Sequence, residues 1–494
     1  MRRTIGAGRG RRQTGGRFPG CPADARSRAC RRVARLAVFP FSLAPITRLS
    51  GVRHVGSGAT LDYCELTDIG RRRANNQDSK AVLAPWGTEQ YRRRGWLFVM
   101  ADGMGAHAAG EMASALAVEH VPLAYEKTAA RSPPLALKAS IEQANAEIHS
   151  RGESAIDMRG MGTTCTALAL LPRGVLVGHV GDSRAYRIRG TTIDQLSRDH
   201  SLAWEMEAHR PPGADDPIPK NIITRSMGPH PQVNVDLEGP FPVDAGDVFL
   251  LCSDGLSGQV ADEEIGLLAG SLPPAEAAAA LVGLSLVRGA PDNVTVIVAR
   301  AGDNEASHGG ADAVPWPLTE EAPATSNRPP VPWGLLGVAA TSLLAALVGY
   351  GGLTTAAAKE SLGDGLADTL AFATLAAMGL LFMGSLLAAF LGSIAPEGEG
   401  VRVLRPGAKL GGGPYRSYGC AASAQLLEGI IASVESAADG LSSRDRDRLL
   451  EAVAEARKPV AANDFSGAIR AAAAAIAIYR RVVEAARSDE TAHG

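Results

Sequence analysis

The sequence has few cysteines for its length, and they form no recognisable disulfide or metal pattern. Six cysteines occur among 494 residues, and no two are spaced as Cys-x-x-Cys. Cys165 and Cys252 lie in apolar runs that are typical of buried strands. No disulfide framework or zinc site is visible. The thiols are therefore predicted to be reduced, and most of them to be packing residues in a cytosolic compartment.

After the first fifty residues, acidic side chains outnumber basic ones. The first fifty residues contain twelve arginines and one acidic residue, although the whole chain has a formal net charge of −2. The remaining residues therefore carry a net charge of −13. A general basic surface for nucleic acid is not supported, so no nucleic-acid partner is expected. The sequence also lacks a nucleotide-binding motif.

Residues 1–58 are rich in Arg, Gly, Ser and Pro and have no sustained hydrophobic period. They are predicted to be a basic, disordered extension. A signal peptide fits poorly, because the apolar stretch "LAVFPFSLAPI" is short and contains two prolines. A gene start placed too far upstream, with the protein beginning near Val52, is the other alternative.

Residues 59–302 combine strand and helix patterns. Runs such as "RGWLFVMAD", "DVFLLCSDG" and "NVTVIVAR" are rich in aliphatic residues and end at Gly or Asp. Segments such as "GEMASALAVEHVPLAYEK" have helical spacing. Strands and helices in separate blocks predict a layered α+β domain rather than a repeat of βαβ units. Residues 303–332, rich in Gly, Ala and Pro, are predicted to be a linker.

Two long apolar runs follow, and their cores are residues 333–353 and 369–395. Each exceeds the ~20 residues that a helix needs to cross a bilayer, so a transmembrane hairpin is predicted. A buried helical hairpin within a soluble domain is the alternative. Lys and Arg flank the hairpin on both outer sides, which predicts a multi-pass protein of the inner cell membrane with both flanks in the cytoplasm.

Residues 415–488 are alanine-rich and predict a helical hairpin, with a Ser pair before the first helix and an Asn-Asp turn before the second. The stretch "NDFSGAIRAAAAAIAIY" loosely resembles the second helix of a tetratricopeptide repeat. This tail is predicted to bind a protein partner or to be regulatory. A solvated helix pair is the alternative.

Carboxylates stand at the ends of several predicted strands. Asp102 and Asp254 each end an apolar run and precede a glycine, and three more lie beside strands: Asp78, Asp182 and Asp292. A single Asp-Gly pair is typical of a turn. Five such carboxylates, all beside apolar strands, favour a common site.

The ligand types at this site indicate its chemistry. Hard oxygen donors, without a Cys pair or a His cluster, suit Mg²⁺ or Mn²⁺ rather than Zn²⁺. Several carboxylates can hold two ions ~4 Å apart with a water between them, an arrangement that suits hydrolysis of a phosphate ester. Gly103 has no side chain, so its carbonyl can approach an ion closely. The arginines at 71–73 are suited to hold the phosphate.

Eight motifs occur in the order found in the metal-dependent PP2C (PPM) family of serine/threonine protein phosphatases. They are "RRRANNQDS", "VMADGMGAHAAGEMAS", "MGTTCTAL", "VGHVGDSRAYRI", "SRDHSL", "NIITRSMG", "LLCSDGLSGQV" and "GAPDNVTVIV". Over about residues 60–300 the chain resembles the stand-alone bacterial members that oppose Hanks-type kinases. The resemblance implies a central antiparallel β-sandwich with helices on both outer faces, and direct attack by hydroxide on phosphoserine or phosphothreonine without a phosphoenzyme.

The resemblance also implies metal ligands. Asp102 would bridge two metals, the Gly103 carbonyl would bind one of them, and Asp254 and Asp292 would complete the other. Asp182 matches the position that helps to hold a third metal in bacterial members.

The remaining roles implied by the resemblance concern the substrate and water. Arg73 matches the phosphate-binding arginine, and Asp78 would bind metal-coordinated water. His107 is a candidate acid for the leaving group, with a packing or helix-capping role as the alternative. Residues 199–221 match the mobile flap that borders the substrate site.

Two residues depart from the family pattern. Gln77 replaces the usual Glu, which removes a charge near the metals, and Ala106 replaces the second glycine of Gly-Gly-His. An active enzyme is still predicted, since no direct metal ligand is lost. A catalytically weak phosphoprotein-binding scaffold and a small-molecule phosphohydrolase are the alternatives.

Overall fold

The computed structural model describes residues 61–105, 108–128, 131–208, 219, 222–302, 315–318, 333–393 and 403–493. The predictions for residues 1–58 and for His107 lie outside the described residues, as do most of the predicted linker and the middle of the predicted flap.

Strands in the described part of the chain are short and mostly antiparallel neighbours. In chain order they are β1 (Leu61–Asp68), β2 (Asp78–Leu83), β3 (Trp96–Met104), β4 (Gly162–Thr163), β5 (Cys165–Leu171), β6 (Gly174–Val180), β7 (Arg184–Arg189), β8 (Thr192–Gln195), β9 (Asp236–Phe241), β10 (Val248–Cys252), β11 (Val294–Ala301), β12 (Trp316–Pro317), β13 (Val403–Leu404) and β14 (Arg416–Gly419).

Helices occupy the segments between these strands and most of the described C-terminal third. They are α1 (Thr88–Arg94), α2 (Ala108–Lys127), α3 (Pro133–Ser154), α4 (Leu202–Ala208), α5 (Asp254–Ser257), α6 (Asp262–Ser271), α7 (Pro274–Val287), α8 (Trp333–Leu353), α9 (Ala356–Leu362), α10 (Asp364–Ser393), α11 (Ala424–Ala437), α12 (Ser443–Ala461) and α13 (Phe465–His493).

Twelve of the described strands form two antiparallel sheets that pack face to face, and β12 and β13 form a separate two-stranded sheet. The first has the order β1-β11-β10-β7-β8-β14, and the second has the order β2-β3-β5-β6-β9 with β4 beside β3. Side chains alternate across each strand. In β3, Trp96 and Phe98 point into the core between the sheets, whereas Leu97 and Val99 point to the helices outside. Burial on both faces explains why these strands read as unbroken apolar runs.

Helices cover the outer face of each sheet. Helices α2 and α3 share an apolar core with the second sheet. Helices α6 and α7 cover the first sheet. The predicted α/β/β/α sandwich is confirmed.

The C-terminal region is helical, as predicted, but it is larger than the predicted helical hairpin. Strand β14 adds to the edge of the first sheet beside β8, and α11 precedes the two expected helices. Leu427, Ile430, Ile431 and Val434 give α11 a helical stripe of buried residues, a signal that the sequence reading passed over.

The C-terminal helices pack on α6 and α7 instead of forming a solvent-exposed pair. A Cβ built on Gly283 of α7 would lie 2.4 Å from Cγ2 of Ile476 in α13, so the two helices meet at the glycine. Ile476 and Tyr479 are both buried in the same core as α6 and α7. Because Gly283 has no side chain, α7 and α13 can approach each other this closely.

Helices α8 and α10 are long and apolar enough to cross a membrane by length and composition. Their apolar windows, Gly334–Leu353 and Gly365–Ala388, have mean hydropathies of 1.7 and 2.1, and only 17% and 11% of each window is buried. A buried core hairpin would hide most of these residues, so that alternative is not supported. The two helices pack against each other, and Tyr350 meets Phe372 with ring centroids 6.4 Å apart.

The chain segments on either side of this hairpin meet at one place. Strand β12, before α8, pairs with β13, after α10. The Arg173 guanidinium lies 4.4 Å from the centroid of the Trp316 ring and donates to the carbonyl of Arg405 at 2.6 Å. Both ends of the hairpin therefore return to the β5–β6 turn.

Candidate active site

Asp78 and Asp102 lie opposite each other at the ends of β2 and β3. The antiparallel register pairs them directly, so their side chains share one face of the sheet. One oxygen of Asp78, Oδ2, accepts from the hydroxyls of Thr295 at 2.6 Å and Ser253 at 2.9 Å. The other oxygen, Oδ1, is buried without a hydrogen-bond partner among the described residues.

Asp254 and Asp292 come from the neighbouring strands of the first sheet. Asp254 follows β10 at the start of α5, and Asp292 lies two residues before β11. Oδ1 of Asp254 is likewise buried with no partner in the described part of the chain. Asp182, in the turn after β6, is also buried, and its Oδ1 has no described partner. The two sheets thus bring the predicted carboxylates to one edge of the sandwich.

These carboxylates repel one another in a poorly solvated place. Burial is the main cause that raises the pKa of Asp78 to about 7, and the negative charges of Asp254 and Asp292 contribute to the rise. Burial is also the main cause that raises the pKa of Asp102 well above its usual value, with Asp78 and Asp254 adding to it. The pKa of Asp182 rises to about 7, first through burial and then through Asp254. Such an excess of buried negative charge calls for a cation.

The donor set fits a hard divalent cation. Three buried carboxylate oxygens have no hydrogen-bond partner in the residues described, and all are hard ligands. No three Asp, Glu, His or Cys side chains among the described residues enclose a single ion. Mg²⁺ in proteins is usually held by one or two carboxylates and several waters, so an all-protein cage is not needed. The residues therefore fit the predicted metals.

Gly103 lies at a crowded point of the backbone. Its N–H donates to the Gln77 carbonyl at 3.1 Å. A Cβ at Gly103 would lie 2.1 Å from the carbonyl oxygen of Gly110 and 2.6 Å from that of Gln77. Only glycine fits here, because a Cβ would overlap two carbonyl oxygens. Binding of an ion by the Gly103 carbonyl stays a prediction.

Arg73 lies on the segment of residues 69–77, called the phosphate loop below. Its Nη2 donates to Asp292 Oδ2 at 2.6 Å, and this hydrogen bond is the main cause that raises the pKa of Arg73. The Arg73 side chain is 49% exposed, so its guanidinium stands at the mouth of the carboxylate cluster. The predicted phosphate-binding residue is thus beside the predicted metal ligands.

Asn293 is a residue that the sequence analysis missed. Its Nδ2 donates to the carbonyls of Ile69 at 2.8 Å and Asn75 at 3.0 Å, and its Oδ1 accepts from the Gln77 N–H at 2.8 Å. One amide therefore holds both ends of the phosphate loop. The signal was the Asp-Asn pair before β11, since Asn readily bonds to nearby backbone groups.

The predicted flap is described at its base. Asp199 accepts both a 2.9 Å and a 2.7 Å hydrogen bond from Arg184, which fixes the entry to the flap on β7. His200 follows, and its Nδ1 accepts from the Gly181 N–H at 3.0 Å. Four residues after the predicted flap, Arg225 donates to Asp236 at 2.6 Å. The start of the flap and the segment that follows it are therefore tied to the sandwich.

Comparison with known proteins identifies the family. A family model described as "Protein phosphatase 2C" matches residues 70–280. Protein phosphatase PhpP of Streptococcus pneumoniae is 34% identical over 249 residues, which cover 49% of this chain and 98% of PhpP. The chain belongs to the protein phosphatase 2C family.

Further relatives extend the match to other bacteria. Serine/threonine protein phosphatase PstP of Mycobacterium tuberculosis is 36% identical over 249 residues, which cover 48% of this chain and 45% of PstP. A solved structure of the PstP catalytic domain, described as a complex with two manganese ions, is 35% identical, covers 49% of this chain and 99% of that domain, and has a TM-score of 0.41.

Protein phosphatase 2C enzymes are metal-dependent serine/threonine protein phosphatases, and the prediction of that family and activity class is confirmed. The match to PhpP covers about half of the chain. The roles of the individual site residues remain predictions.

Proposed function

We propose that this protein is a membrane-anchored protein phosphatase that hydrolyses phosphoserine and phosphothreonine in cytoplasmic proteins. The observation that carries the proposal is the set of three buried carboxylate oxygens without hydrogen-bond partners in the described chain, on Asp78, Asp182 and Asp254, beside the exposed guanidinium of Arg73. Metal ligands next to a phosphate-binding arginine are the parts that hydrolysis of a phosphate ester requires.

The roles proposed for the site residues are those that the family resemblance implies. Asp102, the Gly103 carbonyl, Asp254 and Asp292 would hold two divalent cations. When bound, the cations supply an activated water and stabilise the charge of the phosphoryl oxygens. Mn²⁺ and Mg²⁺ suit these oxygen donors equally, and Asp182 would help to hold a third ion.

The chain itself binds the substrate and orients water. Arg73 donates to the phosphoryl oxygens and fixes the phosphorus near the carboxylates. Asp78 is held rigidly by Thr295 and Ser253 through Oδ2, which leaves Oδ1 free to accept from a water. Water attacks phosphorus directly, so no phosphoenzyme forms. His107 is retained as a candidate proton donor to the leaving group.

The remaining regions support a place at the membrane. Helices α8 and α10 would anchor the protein in the inner cell membrane, and the pairing of β12 with β13 favours a hairpin whose two flanks lie on one side. A cytoplasmic site would meet the phosphoproteins made by a Hanks-type kinase. A protein partner for the tail would have to bind its outward face, because the inner face packs on α7.

The test uses the full chain purified in detergent. Hydrolysis of p-nitrophenyl phosphate and of a phosphothreonine peptide is measured with Mn²⁺, with Mg²⁺ and with EDTA. We expect metal-dependent turnover, and a loss of at least about a hundredfold in Asp254→Asn because a metal ligand is removed. The exposed Asp157 supplies the control, since Asp157→Asn removes the same charge from a surface side chain outside the carboxylate cluster.

Two outcomes would count against the proposal. Folded, Mn²⁺-loaded protein that hydrolyses neither substrate would favour the scaffold alternative. Turnover of p-nitrophenyl phosphate without turnover of the peptide would favour a small-molecule phosphohydrolase. The rise in melting temperature caused by Mn²⁺ gives a reading of metal binding that does not depend on turnover.

A further inference from the structure

The phosphate loop is held from outside the sandwich as well as from inside. Asn293 holds its two ends from the side of β11. Two side chains of α13 also contact residues 68–71, at the start of the phosphate loop. Helix α13 belongs to the C-terminal region, beyond the apolar hairpin, and the match to PhpP covers about half of the chain.

Arg487 makes the first of these contacts. Its Nη1 donates to Asp68 at 2.9 Å to Oδ1 and 3.2 Å to Oδ2, and its Nη2 donates to the Gly70 carbonyl at 2.7 Å. The Asp68 side chain is 9% exposed. The fork of the guanidinium thus joins the Asp68 carboxylate to the Gly70 carbonyl, and a partly buried ion pair is stronger than an exposed one.

Tyr479 makes the second contact. Its hydroxyl accepts from Arg71 Nη1 at 2.9 Å. The Tyr479 side chain is buried beneath the loop, so the hydroxyl has little freedom to move. Tyr479 and Arg487 lie a little over two helical turns apart, so their side chains project about 80° from each other on one side of the helix. Through these side chains α13 contacts Asp68 and Arg71, which lie on either side of Gly70.

The backbone conformation at Gly70 shows why these contacts matter for the position of Arg73. Gly70 has a φ of +78°, and a Cβ there would lie 2.0 Å from the carbonyl oxygen of Asp292. The loop therefore bends sharply against the segment that carries a predicted metal ligand. Arg487 binds the carbonyl at this bend, and Arg73 follows three residues later. A shift of the bend would move the Arg73 guanidinium relative to the carboxylates.

We propose that α13 completes the active site, with Arg487 and Tyr479 as positioning residues that hold the phosphate loop so that Arg73 meets the substrate phosphate. The proposal rests on the proposed role of Arg73. Neither residue touches the substrate. Each acts through the loop, and a small displacement of a binding group is enough to weaken phosphate binding.

The experiment measures phosphate binding in the full chain, in detergent and saturated with Mn²⁺. Arg487→Gln removes the guanidinium that contacts Asp68 and the Gly70 carbonyl, and Tyr479→Phe removes only the hydroxyl. We expect Arg487→Gln to raise both the KM for p-nitrophenyl phosphate and the inhibition constant of inorganic phosphate about three- to tenfold, with kcat changed less than about twofold. Tyr479→Phe should raise them less.

A matched control lies on the same helix. Arg481 is exposed, and within the described part of the chain it donates only to the Ala477 carbonyl of its own helix, so Arg481→Gln should leave KM and the inhibition constant unchanged. A merely structural role for Arg487 would lower the active fraction and hence the apparent kcat, but it would not move KM or the inhibition constant. Should Arg487→Gln be unstable, Arg487→Lys keeps the charge but loses the fork, and an intermediate rise is expected.

The double variant tests whether Arg487 acts through Arg73. With Arg73→Gln already present, adding Arg487→Gln should weaken phosphate binding no further. The positioning role is wrong if Arg73→Gln weakens phosphate binding and Arg487→Gln does not. A wild type that turns over nothing but binds phosphate calorimetrically overturns only the proposed function. A wild type that does neither overturns both.

Discussion

Gly103 lies so close to Gly110 that a Cβ on it would stand 2.1 Å from the Gly110 carbonyl oxygen. This contact packs the end of β3 against the start of α2, next to the paired Asp78 and Asp102. Glycine is required here by space, at the one position where the backbone itself is a proposed metal ligand.

Gly103→Ala should therefore disturb both stability and metal binding. The added methyl group overlaps backbone atoms that cannot rotate away, so we expect a destabilisation of about 1–3 kcal/mol and a weaker response of the melting temperature to Mn²⁺. Gly87→Ala is the control, because no atom lies within 4 Å of its Cβ position. Equal behaviour of the two variants would show that the close packing at Gly103 has no functional consequence.

Gln77→Glu should strengthen metal binding. Gln77 lies beside Asp78, and its carbonyl accepts from the Gly103 N–H, so a carboxylate there would add negative charge next to the proposed ligands. We expect the dissociation constant for Mn²⁺ to fall about three- to tenfold, as calorimetry can measure. Gln143→Glu adds the same charge on the exposed side of α3 and should leave the constant unchanged.

His179 should make the protein less stable in acid. The ring is fully buried, its Nε2–H donates to the Gly181 carbonyl at 2.9 Å, and burial followed by the charge of His200 lowers its pKa to about 3. Between pH 6.5 and 3 the unfolded chain binds a proton that the folded chain does not. Acid therefore favours unfolding, by up to about 1.4 kcal/mol per pH unit from this residue.

The measurement compares the slope of melting temperature against pH between 6.5 and 5. His179→Gln should flatten the slope even if it lowers stability at every pH, because glutamine does not titrate. His120→Gln, on the partly exposed face of α2, should keep the wild-type slope. A slope in His179→Gln equal to that of the wild type would show that other groups cause the acid sensitivity in this pH range.

The docking of the tail on α7 can be tested by a pair of compensating changes. Gly283→Ala should destabilise the protein by about 1–3 kcal/mol, because the new Cβ would meet Cγ2 of Ile476 at 2.4 Å. Ile476→Ala alone should cost about 2–5 kcal/mol by leaving a cavity. Combined, the two should cost less than their sum, since the small residue at 476 makes room for the methyl group. Additive losses in thermal unfolding would contradict this docking.

Local chemistry made much of the candidate site readable from the sequence. Asp102, Asp182 and Asp254 each stand where an apolar strand stops, and a buried strand end is a rigid place for a carboxylate. The two helices after residue 332 were equally clear, because a long charge-free run needs no tertiary context to be recognised.

Asn293 and α11 were missed for different reasons. A buried amide that serves a distant loop has the same sequence signature as a turn residue, and only the folded chain reveals its partners. Helix α11 has a regular apolar stripe, but it lies between a short strand and a longer helix. The sequence analysis assigned only two helices to this region and so predicted a simple hairpin.

The sequence by itself determined the strand ends, the ligand types and the apolar hairpin, because each depends on residues that are neighbours in the chain. Tertiary structure alone decided that α13 reaches the phosphate loop. Arg487 and Asp68 are 419 residues apart, and their attraction leaves no periodic or local mark in the sequence. They meet only because the tail packs on α7, where Gly283 lets the helices approach closely enough.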